Sequence, residues 1–260
     1  MTLTNPVKTT LAQGGISFGS WITIGHPIVA ELMAGSGFDW LAVDCEHGAN
    51  DLDSSVCLLQ AMKSTPCVPF VRLPANDPIW IRRSLDAGFM GLIVPLVNTA
   101  DEAAAAVRVA TYPPLGHRGI GIGRAQEYGR SFEKYLKGAN DAVMIVPQVE
   151  HVRAVENIED ILAVEGVDAV FIGPYDLSGS MGLLGQFDHP RMLEAVDTVL
   201  AACRRVGKPA GIHVVYPEPD EVQKRISQGF RFVALSLDIL LLSRGCDDLL
   251  TAGYRFRTQG

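Results

Sequence analysis

The chain has 260 residues, 48% hydrophobic and 20% charged, with a net charge of −7 at pH 7. That balance suits one globular domain with a sizeable core, and the lack of a basic cluster argues against a nucleic-acid partner. An acidic total does not exclude an anionic substrate, because substrate binding depends on where individual arginines stand.

The N-terminal stretch MTLTNPVKTTLAQGG is polar and lacks the apolar core of a signal peptide. A first strand is expected at 16–23 (ISFGSWIT), followed by a helical pattern in PIVAELMAGSG that closes on glycine. Strands two and three fall at 39–45 (DWLAVDC) and 67–72 (CVPFVR). DPIWIRRSLDAG then opens on Asp-Pro and ends in Gly, as helices tend to. Strand four spans 90–97 (MGLIVPLV) and leads into the helical DEAAAAVRVATY. Strand five is 142–150 (AVMIVPQVE) and is followed by VRAVENIEDILAVEG, a helical pattern. Strand six is 168–174 (DAVFIGP), then PRMLEAVDTVLAACRRVG; strand seven is 209–215 (PAGIHVV), then PDEVQKRISQG; strand eight is 230–237 (FRFVALSL). The strands are continuously apolar, as parallel strands covered on both faces are. Eight strands alternating with helices in this length predict a single-domain (β/α)₈ TIM barrel over 1–260. An open doubly wound sheet is the competitor, but it would more often carry a Gly-rich turn after strand one, and none is present.

Residues 112–141 break the rhythm and read as a long insertion, a lid or a subunit contact. GIGIG at 119–123 mimics part of a dinucleotide fingerprint but follows Pro-Pro and a polar loop instead of a strand. No apolar run approaches the roughly 20 residues of a membrane helix. The cysteines Cys45, Cys57, Cys67, Cys203 and Cys246 are odd in number and form no C-x-x-C, which fits reduced thiols in a cytoplasmic protein.

In such a barrel the chemistry sits at the C-terminal ends of the strands. Those ends supply Trp21 and Thr23, then Asp44, Glu46 and His47, then Arg72, Pro95 and Asn98, Gln148 and Glu150, then Gly173, Tyr175 and Asp176, His213, and Ser236 with Asp238. Glu150 and Asp176 close neighbouring apolar strands, where a carboxylate is costly unless it is used. Paired oxygens of this kind suit a divalent metal, Mg²⁺ first and Mn²⁺ or Co²⁺ as options, acting as a Lewis acid on a carbonyl. His47 can move a proton and Arg72 can stabilise an oxyanion. Each also has a plain structural reading: Asp44 and Glu46 as loop acceptors, His47 as a turn residue, Arg72 as a counter-charge for the acids. The lysines Lys8, Lys63, Lys134, Lys137, Lys208 and Lys224 are all poorly placed for a Schiff base, so the metal route is favoured.

The segments ELMAGSGFDWLAVDCEHGAND, VPFVRLPANDP, GLIVPLVNTADEA, YPPLGHRGIG, PQVE and VEGVDAVFIGPYDLSGSMG resemble the HpcH/HpaI aldolase family over about 15–250. These are class II, metal-dependent pyruvate aldolases such as 4-hydroxy-2-oxoheptanedioate aldolase and 2-dehydro-3-deoxyglucarate aldolase. The resemblance implies reversible cleavage of a 4-hydroxy-2-oxo acid to pyruvate, or a close 2-oxo acid, and an aldehyde through a metal-stabilised enolate. It makes Glu150 and Asp176 the metal ligands, Arg72 a contact to the enolate oxygen, and His47 the acid/base supported by Asp44 or Asp86. It places Trp21, Gln148, the backbone of Gly173, Pro174, Tyr175 and Asp176, and Arg124 of the insertion with the substrate, and implies a homo-oligomer, most often a hexamer. His213, Tyr175 and His151 depart from the family pattern and bear on the aldehyde. The rival readings are a citramalyl- or malyl-CoA-type lyase and a catalytically silent barrel acting as sensor or scaffold.

Overall fold

The computed structural model describes residues 3–254; residues 1–2 and 255–260, the ends of the expected domain, lie outside the described residues. The strands are β1 (Ser17–Ile22), β2 (Trp40–Asp44), β3 (Val68–Arg72), β4 (Gly91–Val94), β5 (Met144–Val149), β6 (Val170–Ile172), β7 (Ala210–Val214) and β8 (Phe232–Leu237). They pair in sequence order, all parallel, and β8 closes on β1. The helices are α1 (Pro6–Ala12), α2 (Pro27–Gly35), α3 (Leu52–Met62), α4 (Pro78–Ala87), α5 (Ala100–Ala110), α6 (Phe132–Ala142), α7 (Val152–Glu156), α8 (Ile158–Ala163), α9 (Pro174–Ser180), α10 (Pro190–Val206), α11 (Pro219–Gln228) and α12 (Asp238–Tyr254). None of the described helices is long and apolar enough to cross a membrane.

Strand parity divides the core into two layers. Outward residues such as Val43, Val71, Leu92, Ile145, Ile172 and Ile212 pack against the helices. Inward residues fill the barrel with aromatic rings: Trp40 stacks on Phe232 at 4.2 Å, and Phe70 and Phe171 lie within 5.8 Å of Phe232. These rings need bare backbone opposite them, since a Cβ on Gly91 would lie 2.0 Å from the Phe70 ring. Val7 and Leu11 of α1 plug the N-terminal end of this inner layer. The other end is the open mouth where the strands' C-termini meet.

Local signals explain most helix limits. Asp77 accepts from the amides of Ile79 and Trp80 with Pro78 at the first helical position, and α4 ends on left-handed Gly88. α10 and α11 end the same way on Gly207 and Gly229. The helical pattern after β5 is split into α7 and α8 at Asn157.

The segment 112–141 is not a lid on this chain's mouth. It joins the end of α5 to the start of β5, and both lie at the barrel's N-terminal end. Its second half is largely α6, and its first half is anchored by Arg118, which is buried, stacks over Tyr112 at 4.6 Å and donates to Asp86 at 2.6 Å.

Candidate active site

β2 and β3 run in register so that Asp44 and Arg72 are direct partners at the mouth. Arg72 holds Asp44 with two parallel bonds, Nε to Oδ1 at 3.0 Å and Nη2 to Oδ2 at 2.6 Å. Its Nε also lies 3.4 Å from Glu46 Oε2, and its guanidinium sits 4.6 Å above the Trp21 ring. Asp44 is almost wholly buried. Burial pushes its carboxyl up, but the Arg72 bond and charge, with the amides of His47 and Glu46, bring it below the usual carboxylate value.

The turn after β2 is built on the same aspartate. Asp44 Oδ1 accepts from the amides of Glu46 at 3.1 Å and His47 at 3.2 Å, while Asn50 Nδ2 donates to the carbonyls of Asp44 and Ile22. The His47 ring is thereby thrown outward, 65% exposed, with its Nε2 3.9 Å from Glu46 Oε2. Of the two carboxylates weighed as its support, Asp44 orients its backbone. Asp86 does not reach it: helices run back along the strands, so the end of α4 lies at the far end of the barrel, where Asp86 pairs with Arg118. Arg124 is likewise distant from the mouth of its own chain, donating to the carbonyls of Leu59 and Ala87 at the ends of α3 and α4.

β5 delivers Gln148 and Glu150. Glu150 Oε1 accepts from the Leu96 amide at 2.6 Å, and Oε2 accepts from Gln148 Nε2. Gly173 lies against this pair, and a Cβ there would stand 3.1 Å from Glu150 Cβ, so only glycine gives this approach without displacement. Pro174, Tyr175 and Asp176 form the first turn of α9, whose Gly173 cap supplies no side chain to its amides.

Glu150 is pushed up by burial and by Asp176, against the pull of Gln148, Leu96 and Arg72. Glu46 is pushed up to about 7, chiefly by burial, with Glu150, Asp44 and Asp176 adding to it and Arg72 opposing. Glu46, Glu150 and Asp176 therefore share one field. Glu46 Oε2 and Gln148 Oε1 are buried with no hydrogen-bond partner. Among the described residues no three acidic, histidine or cysteine side chains close into a ready-made cation cage. Two carboxylates with open positions are nevertheless what Mg²⁺ commonly uses, completing its shell with water and substrate oxygens. The surplus of buried acid and the two orphaned oxygens fit a divalent cation.

His213 on β7 faces inward, its ring edge-on to Trp21 at 5.9 Å. His151 serves as the N-cap of α7, its Nδ1 accepting from the Arg153 amide. Glu46, which the sequence places at the rim without a catalytic or metal role, stands in the same cluster of acids as Glu150 and Asp176. Asp238, at the end of strand eight, accepts from the amides of Thr23 and Ile24 and so fixes the loop after β1.

The family model for HpcH/HpaI aldolase/citrate lyase matches residues 17–244. A 4-hydroxy-2-oxovalerate aldolase of Novosphingobium aromaticivorans is 40% identical over 94% of this chain and 92% of its own length. A 4-hydroxy-2-oxo-heptane-1,7-dioate aldolase of Salmonella paratyphi C is 40% identical over 94% and 93%. A crystal structure of an HpcH/HpaI aldolase/citrate lyase family protein from Burkholderia cenocepacia superposes with a TM-score of 0.92 at 36% identity, covering 96% of this chain and 100% of that one.

Proposed function

This chain belongs to the HpcH/HpaI aldolase/citrate lyase family, and from that premise we propose how its mouth works as an aldolase site. It is a carbon–carbon lyase that cleaves 4-hydroxy-2-oxo acids into a 2-oxo acid, pyruvate on our reading, and an aldehyde. The observation that carries the site assignment is the convergence of Glu150, Asp176 and Glu46 beside Arg72 at the strands' C-terminal ends.

Glu150 and Asp176 would hold a divalent metal, with Mg²⁺ foremost and Mn²⁺ or Co²⁺ as options. When bound, it supplies Lewis-acid polarisation of the substrate's 2-oxo group. Arg72, already fixed by Asp44 and Trp21, presents a pre-oriented cation to the oxygen on which negative charge develops. Gln148 lies beside the 2-oxo acid, and the first-turn amides of Tyr175 and Asp176 receive its carboxylate. His47 takes the proton from the 4-hydroxyl as the C3–C4 bond breaks, and a proton returns to C3 to complete pyruvate. The exposed ring of His47 is free to meet that hydroxyl.

A homo-oligomer, with a hexamer favoured, is supported by α12, whose Ile239, Leu241, Leu242, Leu249 and Leu250 are all exposed. A cytoplasmic setting is supported by five unpaired cysteines. The deciding experiment is proton exchange at the methyl group of pyruvate in D₂O with divalent metal. Exchange that depends on the metal is expected; its absence with every metal tried would overturn the reading.

A further inference from the structure

Among the described residues, four other than glycine hold a left-handed backbone, and two of them, Leu96 and Ser236, stand at the mouth. Leu96 has a φ of 54° and follows shortly after the end of β4 at Val94. A residue with a Cβ is strained in this conformation, because the Cβ crowds the following carbonyl oxygen. The leucine side chain recovers little by burial, being 58% exposed. Strain of this kind persists only where the surroundings dictate it, and it gathers where the geometry is used.

The loop after β4 dictates it through named bonds. Val97, the next residue, is wholly buried in the outer layer of the core. Asn98 Nδ2 donates to the Leu96 carbonyl at 3.2 Å, and the Asn98 amide donates to Glu102 Oε2 at 2.6 Å. Glu102 also accepts from the Thr99 amide at 3.0 Å in the capping box of α5. Asn157, where α7 meets α8, donates to the Asn98 carbonyl at 2.9 Å. What the left-handed turn achieves is the direction of one N–H: the Leu96 amide donates to Glu150 Oε1 at 2.6 Å. Gln148 Nε2 holds the other oxygen, and Gly173 closes on the Glu150 stem. Both oxygens are thereby oriented, yet each keeps a lone pair, since a carboxylate offers about four acceptor sites.

We propose that Leu96 is a positioning residue for the divalent metal: its left-handed backbone, locked by the bonds of Asn98 and Glu102, sets the Glu150 carboxylate before the metal arrives. This rests on the metal reading above. A ligand already held in one orientation loses less freedom on binding, and groups that orient a ligating carboxylate typically govern metal affinity by about 10–100-fold. What counts at position 96 is then the backbone conformation a residue can adopt, and not its apolar side chain.

The test is calorimetric titration of Mn²⁺ into the metal-free, intact chain, with three substitutions at position 96. Valine keeps an apolar side chain, but a β-branched residue resists positive φ; asparagine and glycine lose the apolar side chain and accept that φ. Leu96→Val should weaken Mn²⁺ binding about 10–100-fold, while Leu96→Asn and Leu96→Gly stay within about threefold of wild type. A role in apolar packing predicts the reverse order, with valine the best replacement. Leu96→Val within about threefold of wild type, or Leu96→Asn as weak as Leu96→Val, overturns the proposal. If Leu96→Val does not fold, Asn98→Ala takes its place. It removes the bond to the Leu96 carbonyl and should weaken Mn²⁺ at least about threefold, and an unchanged affinity overturns the proposal. Wild type separates the two failures: Mn²⁺ binding with an unmoved Leu96→Val sinks only the role of Leu96, whereas no binding to wild type sinks the metal reading and this inference with it.

Discussion

Arg72 is both a structural and a catalytic candidate, and its pairing determines how to tell the roles apart. Its two bonds hold an aspartate that is 2% exposed. Arg72→Ala would leave that charge buried and unpaired, at a cost of about 3–5 kcal/mol. For a chain of this size this corresponds to a fall in Tm of roughly 10 °C or more. Arg72→Ala alone is therefore ambiguous. Adding Asp44→Asn removes the orphaned charge while Oδ1 can still accept from the amides of Glu46 and His47. The double variant should recover most of the lost Tm, read by calorimetry on metal-loaded protein. Pyruvate exchange in the same sample should stay at least about 10²-fold below wild type, the usual cost of losing one oxyanion donor, near 3 kcal/mol. Arg72→Lys should keep the fold better than Arg72→Ala yet restore little exchange, because an ammonium cannot make both bonds. If the double variant regains both stability and exchange to within tenfold of wild type, Arg72 only balances Asp44 and the catalytic argument is wrong.

Three other outcomes are expected. His47→Ala should slow methyl exchange about 10²–10⁴-fold with little change in metal affinity by calorimetric titration; exchange within twofold of wild type would make His47 a turn residue. A chelator should abolish activity and Mg²⁺, Mn²⁺ or Co²⁺ should restore it, and borohydride with pyruvate should trap nothing; a reduced adduct on any lysine by mass spectrometry would refute the metal route. His213 has a folded value of about 4 against an ordinary 6.5, so between those pH values the unfolded chain binds the extra proton and stability rises with pH. Wild type should thus lose up to about 3 kcal/mol relative to His213→Leu as pH falls from 7 towards 4, and a Tm difference that does not move with pH would contradict the neutral ring.

The barrel was legible because each strand is an unbroken apolar run, and the observed strands lie within three residues of the expected limits at each end. α3 was not, since LDSSVCLLQAM has short polar residues in its first turn; its start is set by the Asp51–Ser54 capping box. α12 was missed because it follows β8 without a loop. Asp44, His47, Arg72, Gln148, Glu150 and Asp176 are brought to one mouth by one rule, that parallel strands gather their C-terminal ends there. The same rule bears on Asp86 and Arg124. Asp86 ends a helix that runs back from the mouth, and Arg124 belongs to the segment that joins such a helix to the next strand. Both are thereby assigned to the barrel's opposite end. What the rule could not supply was the pairing of Arg72, which required the register between β2 and β3.

The charges at the mouth tie these observations together. Asp44, Glu46, Glu150 and Asp176 face one guanidinium, and Arg72 spends two of its nitrogens on Asp44. Burial first, and repulsion from the neighbouring acids second, lift Glu46 to about 7, above any ordinary glutamate. A 2-oxo acid would bring yet another negative charge into the same space. Protonating Glu46 removes one of these charges, but it leaves Glu150 and Asp176 opposed to the substrate's carboxylate. A divalent cation held by those two would remove the conflict and turn their charge into the means of binding the anion. On this reading the pairing of Asp44 with Arg72 has a separate purpose. It keeps the guanidinium from collapsing onto Glu150 or Asp176, so that Arg72 stays available to the substrate oxygen on which charge develops.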